Sequence, residues 1–144
     1  MKYDLRDRYE KYVIFTVEAD SFKQAVELAL KRHLSLSQAD LSRVDLSGIN
    51  LSKVDLVKAD LSQSNLSGAN LYGANLSRSN LTDADLSRAN LYASDLTGAN
   101  LSRAKMTNAD LSGSELAGAN LSGTDFTGAD LLGAHFSPQV RLAA

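Results

Sequence analysis

Leucine, or a residue of similar bulk, recurs at every fifth position from 41 to 136, through Leu41, Leu46 and Leu51 to Met106, Phe126, Leu131 and Phe136. Two residues before each stands a small or branched residue, most often alanine. Asp or Asn comes directly before it, and Ser or Thr usually follows. The unit is Ala-(Asp/Asn)-Leu-(Ser/Thr)-X, an internal repeat over residues 39–136. Neither ordinary element tolerates this period. On an α-helix, successive leucines rotate by roughly 140° and leave no apolar stripe. On a flat strand, an odd period sends alternate leucines to opposite faces and half of them into water. All are buried only if the chain bends at each unit and winds into coils stacked at about 4.8 Å, leucines toward the axis. The pattern predicts an all-β solenoid.

Before the repeat the pattern changes twice. Residues 2–6 and 11–18 read as strands around a polar turn, the second marked by Tyr12, Val13, Ile14, Phe15, Thr16 and Val17. Residues 22–33 read as a helix with Phe22, Ala25, Val26, Ala29 and Leu30 on one face. Ser21 and Gln24 form a capping-box pair at its start, and Asp20 adds negative charge there. Such a stripe needs a surface, and the open first coil supplies one, so residues 1–34 are expected to cap a solenoid of residues 35–136. Val44, Ile49 and Val54 stand where later units carry Ala, Ser or Thr, which makes the core widest near the cap. Leu36 is already in phase, giving up to 21 units, and residues 137–144 form a tail holding the only proline. No second helix closes this end, so the layer with Leu131, Leu132 and Phe136 is expected to lie open as a contact surface.

Charge decides between three and four units per turn, because like charges avoid ladder spacing. Fifteen residues per coil would stack five acidic pairs, among them Asp40 with Asp55 and Asp110 with Asp125, whereas twenty stacks three. These three are Asp40 with Asp60, Asp95 with Glu115, and Asp110 with Asp130. At twenty, Lys105 also falls between Asp85 and Asp125. Four units per coil is favoured. Asn50, Asn70 and Asn90 then form one amide ladder, and Asn80, Asn100 and Asn120 another.

A net charge of -2 and a pI near 5.6 give no electrostatic basis for nucleic-acid binding. With no cysteine, disulfides, thiol catalysis and cysteine-zinc sites are all excluded. The charged N-terminus lacks a signal-peptide core, and the apolar run 12–17 is too short to span a bilayer, so a soluble cytoplasmic protein is expected. His33 and His135 fall at opposite ends of the rod, out of reach of a shared catalytic centre. The repeated carboxylates stand singly, unlike the clustered oxygens of a calcium loop. No phosphate-binding glycine loop precedes a helix; Gly113, Gly118 and Gly123 fall at the last position of the unit, where the chain must bend. No catalytic residue, cofactor or metal is expected.

The run Ala-Asn-Leu-Tyr-Gly-Ala-Asn-Leu-Ser at 69–77, with its neighbours, resembles the pentapeptide-repeat proteins over about 100 of the 144 residues. That resemblance implies a right-handed quadrilateral parallel β-helix with four pentapeptides per coil, and a ββα cap as in many bacterial members. About five coils would make a rod on the order of 25 Å long. It also implies a non-enzymatic interaction protein with a protein partner. A DNA mimic like the quinolone-resistance members, which protect gyrase, is the alternative; Arg43, Lys53 and Lys58 on the first coils argue against it. Ice binding through the hydroxyl columns is a third possibility, opposed by their Arg, Gln and Asp neighbours. A homodimer through the C-terminal coil follows from its apolar end and from dimeric family members.

Because the regular positions build the rod, local function belongs where the pattern varies. Tyr72 and Tyr92 are twenty apart and should stack, either as a stabilising ladder or as a partner patch. Lys105 interrupts an acidic column, and Phe126, Leu132 and Phe136 mark the last coil. Positive charge ends at Lys105, after which Asp110, Glu115, Asp125 and Asp130 have no cation among them before Arg141.

Overall fold

The computed structural model describes residues 1–138. The chain opens with an antiparallel hairpin, β1 (Lys2–Asp7) and β2 (Val13–Glu18), followed by α1 (Phe22–Lys31). The turn is built by Asp7, whose buried carboxylate accepts the N–H groups of Tyr9 (2.8 Å) and Glu10 (2.7 Å). That turn holds residues expected to start the second strand, and Lys11 takes a left-handed φ of 59° there. Ser21 caps α1 by accepting the Gln24 N–H, while the Gln24 side chain accepts the Asp20 N–H, completing the expected box one residue early. The helix stops two residues short of the expected end because His33 adopts φ 57°, closing it with its N–H on the Leu30 carbonyl.

The cap joins the solenoid in a way the apolar stripe alone does not suggest. β1 also pairs antiparallel with β3 (Ala39–Asp40), Arg6 opposite Asp40 and Asp7 opposite Ala39, so the first coil supplies the third strand of the cap's sheet. Leu5, Ala25, Val26 and Ala29 are buried in one core with Leu36, Leu41, Leu46 and Leu51. Of the three larger inward residues near the cap, Ile49 is buried, while Val44 and Val54 are only partly so.

From residue 40 onward, β-bridges run in parallel between positions twenty apart, from Asp40 with Asp60 to Asp110 with Asp130. The last turn is closed by β4 (Glu115–Leu116) against β5 (His135–Phe136). The coil is therefore four-sided. Residues 69–73 show where a unit's backbone donors go. Ala69 N–H bonds Leu66 O around the corner (3.0 Å), Asn70 reaches Ile49 O in the previous coil (2.9 Å), and Leu71 and Gly73 reach Asn90 O and Tyr92 O in the next (2.7 and 2.9 Å). The fifth, Tyr72 N–H, is taken by the Asn70 side chain at 3.1 Å. No N–H of the unit is left unpaired, which explains why Asp and Asn interchange at that position: either offers an Oδ1 at the required reach.

The amide ladders are corrected by the same bond. Asn50, Asn70 and Asn90 do stand one above another, as do Asn80, Asn100 and Asn120. Their Oδ1 atoms, however, accept the N–H two residues on, and the Asn80 amide reaches back not to an asparagine but to Asp60 Oδ1 at 3.2 Å. The serines after each leucine are mostly half-buried over this turn. The last unit position is left-handed throughout, and not only where glycine stands: Arg43, Lys58, Arg78, Asp83 and Arg103 all have φ between 57° and 60°.

Candidate interaction surfaces

The outward position after leucine places Tyr72 and Tyr92 on one face, one coil apart. Their rings lie parallel at 5.8 Å with an interplanar angle of 3°, and the Lys53 ammonium sits 5.8 Å from the Tyr72 centroid. They are 39% and 46% exposed. Each backbone is fixed from behind by the Asn70 or Asn90 Oδ1. Beside the rings run the small residues Gly73, Ala93 and Gly113, with the Lys53 stem lying over Gly73, its Cγ 3.6 Å from where a Cβ would stand. At Gly113 an added Cβ would meet nothing within 4 Å, so the space is open to an incoming group. Leu132 continues the tyrosine column two coils on and is 79% exposed.

The other expected residues lie elsewhere. Lys105 is on a different face, 3.7 Å from Asp85 and bridged through its backbone to Asp125. Burial pushes the Asp85 carboxyl up, but its bonds from Ser87 and the nearby Lys105 prevail and hold it below the usual carboxylate range. Phe126 and Phe136 point inward in the last coil and are half-buried, and Glu115 meets His135 at 2.6 Å. Among the described residues beyond Met106, Asp110, Glu115, Asp125 and Asp130 have no Lys or Arg; Arg141 and most of the expected tail lie outside the described residues. The hydroxyls of Ser42, Ser62 and Thr82 turn back onto Asp40, Asp60 and Asn80, which occupies the array an ice-binding face would present.

The sequence reading missed a polar cleft of about 520 Å³ where the cap meets the corner leading onto the face of Asn80 and Asn100. Its charged lining is Arg8, Arg78, Asp83 and Arg103. Arg8 reaches from the cap to the carbonyls of Lys58 (2.9 Å) and Ala59 (3.3 Å). Arg103 is held by Asp83 through two bonds of 2.7 Å, which raises its own pKa and lowers that of Asp83. The stem of Arg78 lies over Gly98, its Cγ 3.5 Å from where a Cβ would stand. The twenty-residue register brings positions 78, 83, 98 and 103 together and was available in the sequence; the placement of Arg8 was not.

Among the described residues, no group of three or more His, Asp or Glu is placed to hold a metal ion, and no helix is long and apolar enough to cross a membrane.

Comparison with known proteins agrees with this geometry. The family described as "Pentapeptide repeats" matches in 8 copies over residues 33–68, 69–108 and 104–137. The chain is 38% identical to the pentapeptide repeat protein Rfr23 from the cyanobacterium Cyanothece 51142, with a TM-score of 0.61 over 65% of this chain and 63% of that one. It is 39% identical to a pentapeptide repeat protein from the Arabidopsis thaliana thylakoid lumen, with a TM-score of 0.64 over 69% and 68% of the two chains. HetL from Nostoc sp. strain PCC 7120, involved in heterocyst differentiation regulation, is 32% identical, with a TM-score of 0.56 over 74% and 54%. The match thus spans less than two thirds of Rfr23 and of HetL. A search of curated proteins finds no match. The thylakoid-lumen relative shows that such a coil is not confined to the cytoplasm. A family match over most of the chain, with side chains stacked every twenty residues, leaves one conclusion: the chain belongs to the pentapeptide-repeat family and folds as its right-handed quadrilateral β-helix.

Proposed function

We propose that this protein is a non-enzymatic scaffold that docks a protein partner on the face carrying Tyr72 and Tyr92. The family consists in general of non-enzymatic structural repeat proteins. The observation that carries the reading is the stacked pair, two rings held parallel at 5.8 Å and partly in solvent, with open space at Gly113 in the neighbouring column. Rings already ordered by stacking lose little entropy on docking, and tyrosine is enriched among residues that dominate interface energy. The pair also coheres neighbouring coils, so docking is separated from cohesion by comparing variants that fold equally well. Affinity capture from native extract with wild type, Tyr72→Ala/Tyr92→Ala and Arg88→Gln as baits is expected to yield a partner retained by R88Q and lost by the double variant. An identical captured set from all three sinks the reading.

Self-association through the last coil is a second proposal, supported by a specific difference. Leu121, Phe126, Leu131 and Phe136 are partly exposed where their interior counterparts are buried, and Leu132 stands almost free. Sedimentation at micromolar concentration should read a dimer that Leu132→Glu converts to monomer, whereas a monomeric wild type removes the proposal. A gyrase-binding DNA mimic has no comparable support, since Arg43, Lys53, Lys58, Arg78 and Arg88 project from the first coils.

A further inference from the structure

We propose that the cleft between the cap and the solenoid binds a phosphate group. Three guanidinium groups against the single carboxylate of Asp83 leave the lining with a net charge of +2. A phosphate carrying about -1.5 to -2 at neutral pH balances it. The basic groups are preorganised by three unrelated devices. Arg8 is pinned on backbone carbonyls 50 and 51 residues away, Arg103 is locked flat against Asp83, and Arg78 rests its stem on Gly98. Arg78 makes no ion pair within 4.0 Å among the described residues, so its charge is free for a ligand.

The lining continues in polar side chains, with Asn80, Asn100 and Tyr9 beside the guanidiniums, while the Thr82 hydroxyl donates to Asn80 Oδ1. Donors of this kind, arriving from the cap and from successive coils, suit a tetrahedral oxyanion better than a planar carboxylate, whose natural fork is already exemplified by Arg103 on Asp83.

The probe is inorganic phosphate, titrated into the full chain at constant ionic strength and followed by NMR of backbone amides and arginine Nε–H groups. Saturable shifts confined to Arg8, Arg78, Asn80, Thr82 and Arg103 are expected. Arg78→Gln, at an exposed position, should weaken binding at least about tenfold, the loss expected for one charge-assisted hydrogen bond. Arg88→Gln, on another corner, should leave it within about twofold. Equal shifts with chloride, equal weakening by R78Q and R88Q, or tighter binding of tetraglutamate than of phosphate would each overturn the proposal. Because Tyr72 and Tyr92 lie on the opposite side of the coil, their double alanine variant should bind phosphate as wild type does, which keeps this outcome independent of the docking proposal.

Discussion

An interior coil and the last coil are written in the same five-residue code and behave differently. Leu71 and Leu131 share a column, yet Leu71 is fully buried and Leu131 is not. Leu71 is covered by Leu51 on one side and Leu91 on the other, and its N–H bonds Asn90 O across the coil gap. Leu131 has Leu111 beneath it, and among the described residues its N–H has no backbone acceptor. A pentapeptide is thus not a unit of stability. The unit is the contact between coils, so burial is won only where a coil has neighbours on both sides. At the first end the cap substitutes for a neighbour with a β-strand and a helix. The described residues contain no such element at the other end.

The largest test of this difference is a matched pair of truncations. Leu71→Ala should cost about 2–5 kcal/mol, the range for a sealed core leucine, whereas Leu131→Ala should cost roughly half as much or less. Urea unfolding of both variants reads the ratio, and equal losses would show the last coil to be as sealed as the middle. The turn bond offers a smaller contrast. Asn70→Ala strands the Tyr72 N–H between two coils and should cost about 1–2 kcal/mol. Asp130→Ala strands the N–H of Leu132, where water can replace the lost acceptor, and should cost no more than about 0.5 kcal/mol.

The smallest effect is that of pH. Asp45 is lowered by the Ser47 backbone bond and Asp125 by the Thr127 hydroxyl. At Asp40 burial works upward but is outweighed by bonds from Ser42 and Lys11. These folded-state values lie below the unfolded one, so the stability they contribute is fully present above the unfolded carboxylate pKa of about 3.9 and is lost as pH falls through the depressed values. Thermal midpoints should hold flat down to about pH 4 and then decline. Asp45→Asn and Asp125→Asn keep the Oδ1 acceptor and remove the titration, so together they should shallow that decline. An unchanged slope would show that the turn bonds do not discriminate between charged and neutral side chains.

Much of this was legible because the repeat obeys one rule throughout. The odd period excluded helix and flat strand, and the column of Asp85, Lys105 and Asp125 favoured the twenty-residue coil from spacing alone. The stacking of Tyr72 on Tyr92 followed from that register alone. What failed to read through was a local bond: the stacked asparagines looked like amide ladders, but each Oδ1 accepts the backbone N–H two residues on. Helix α1 ended early for a similar reason, since a left-handed turn at His33 leaves no trace in an apolar stripe.

The sequence by itself therefore determined the coil, its circumference and its inward and outward positions, because these depend on spacing along the chain and the physics of one unit repeats in every other. Only the tertiary structure decided how the cap attaches, through β1 on the edge of Ala39–Asp40, and hence that Arg8 would meet Arg78 and Arg103 in a cleft. That meeting joins residues far apart in the chain across an interface with no repeat to copy, so no periodicity carries it.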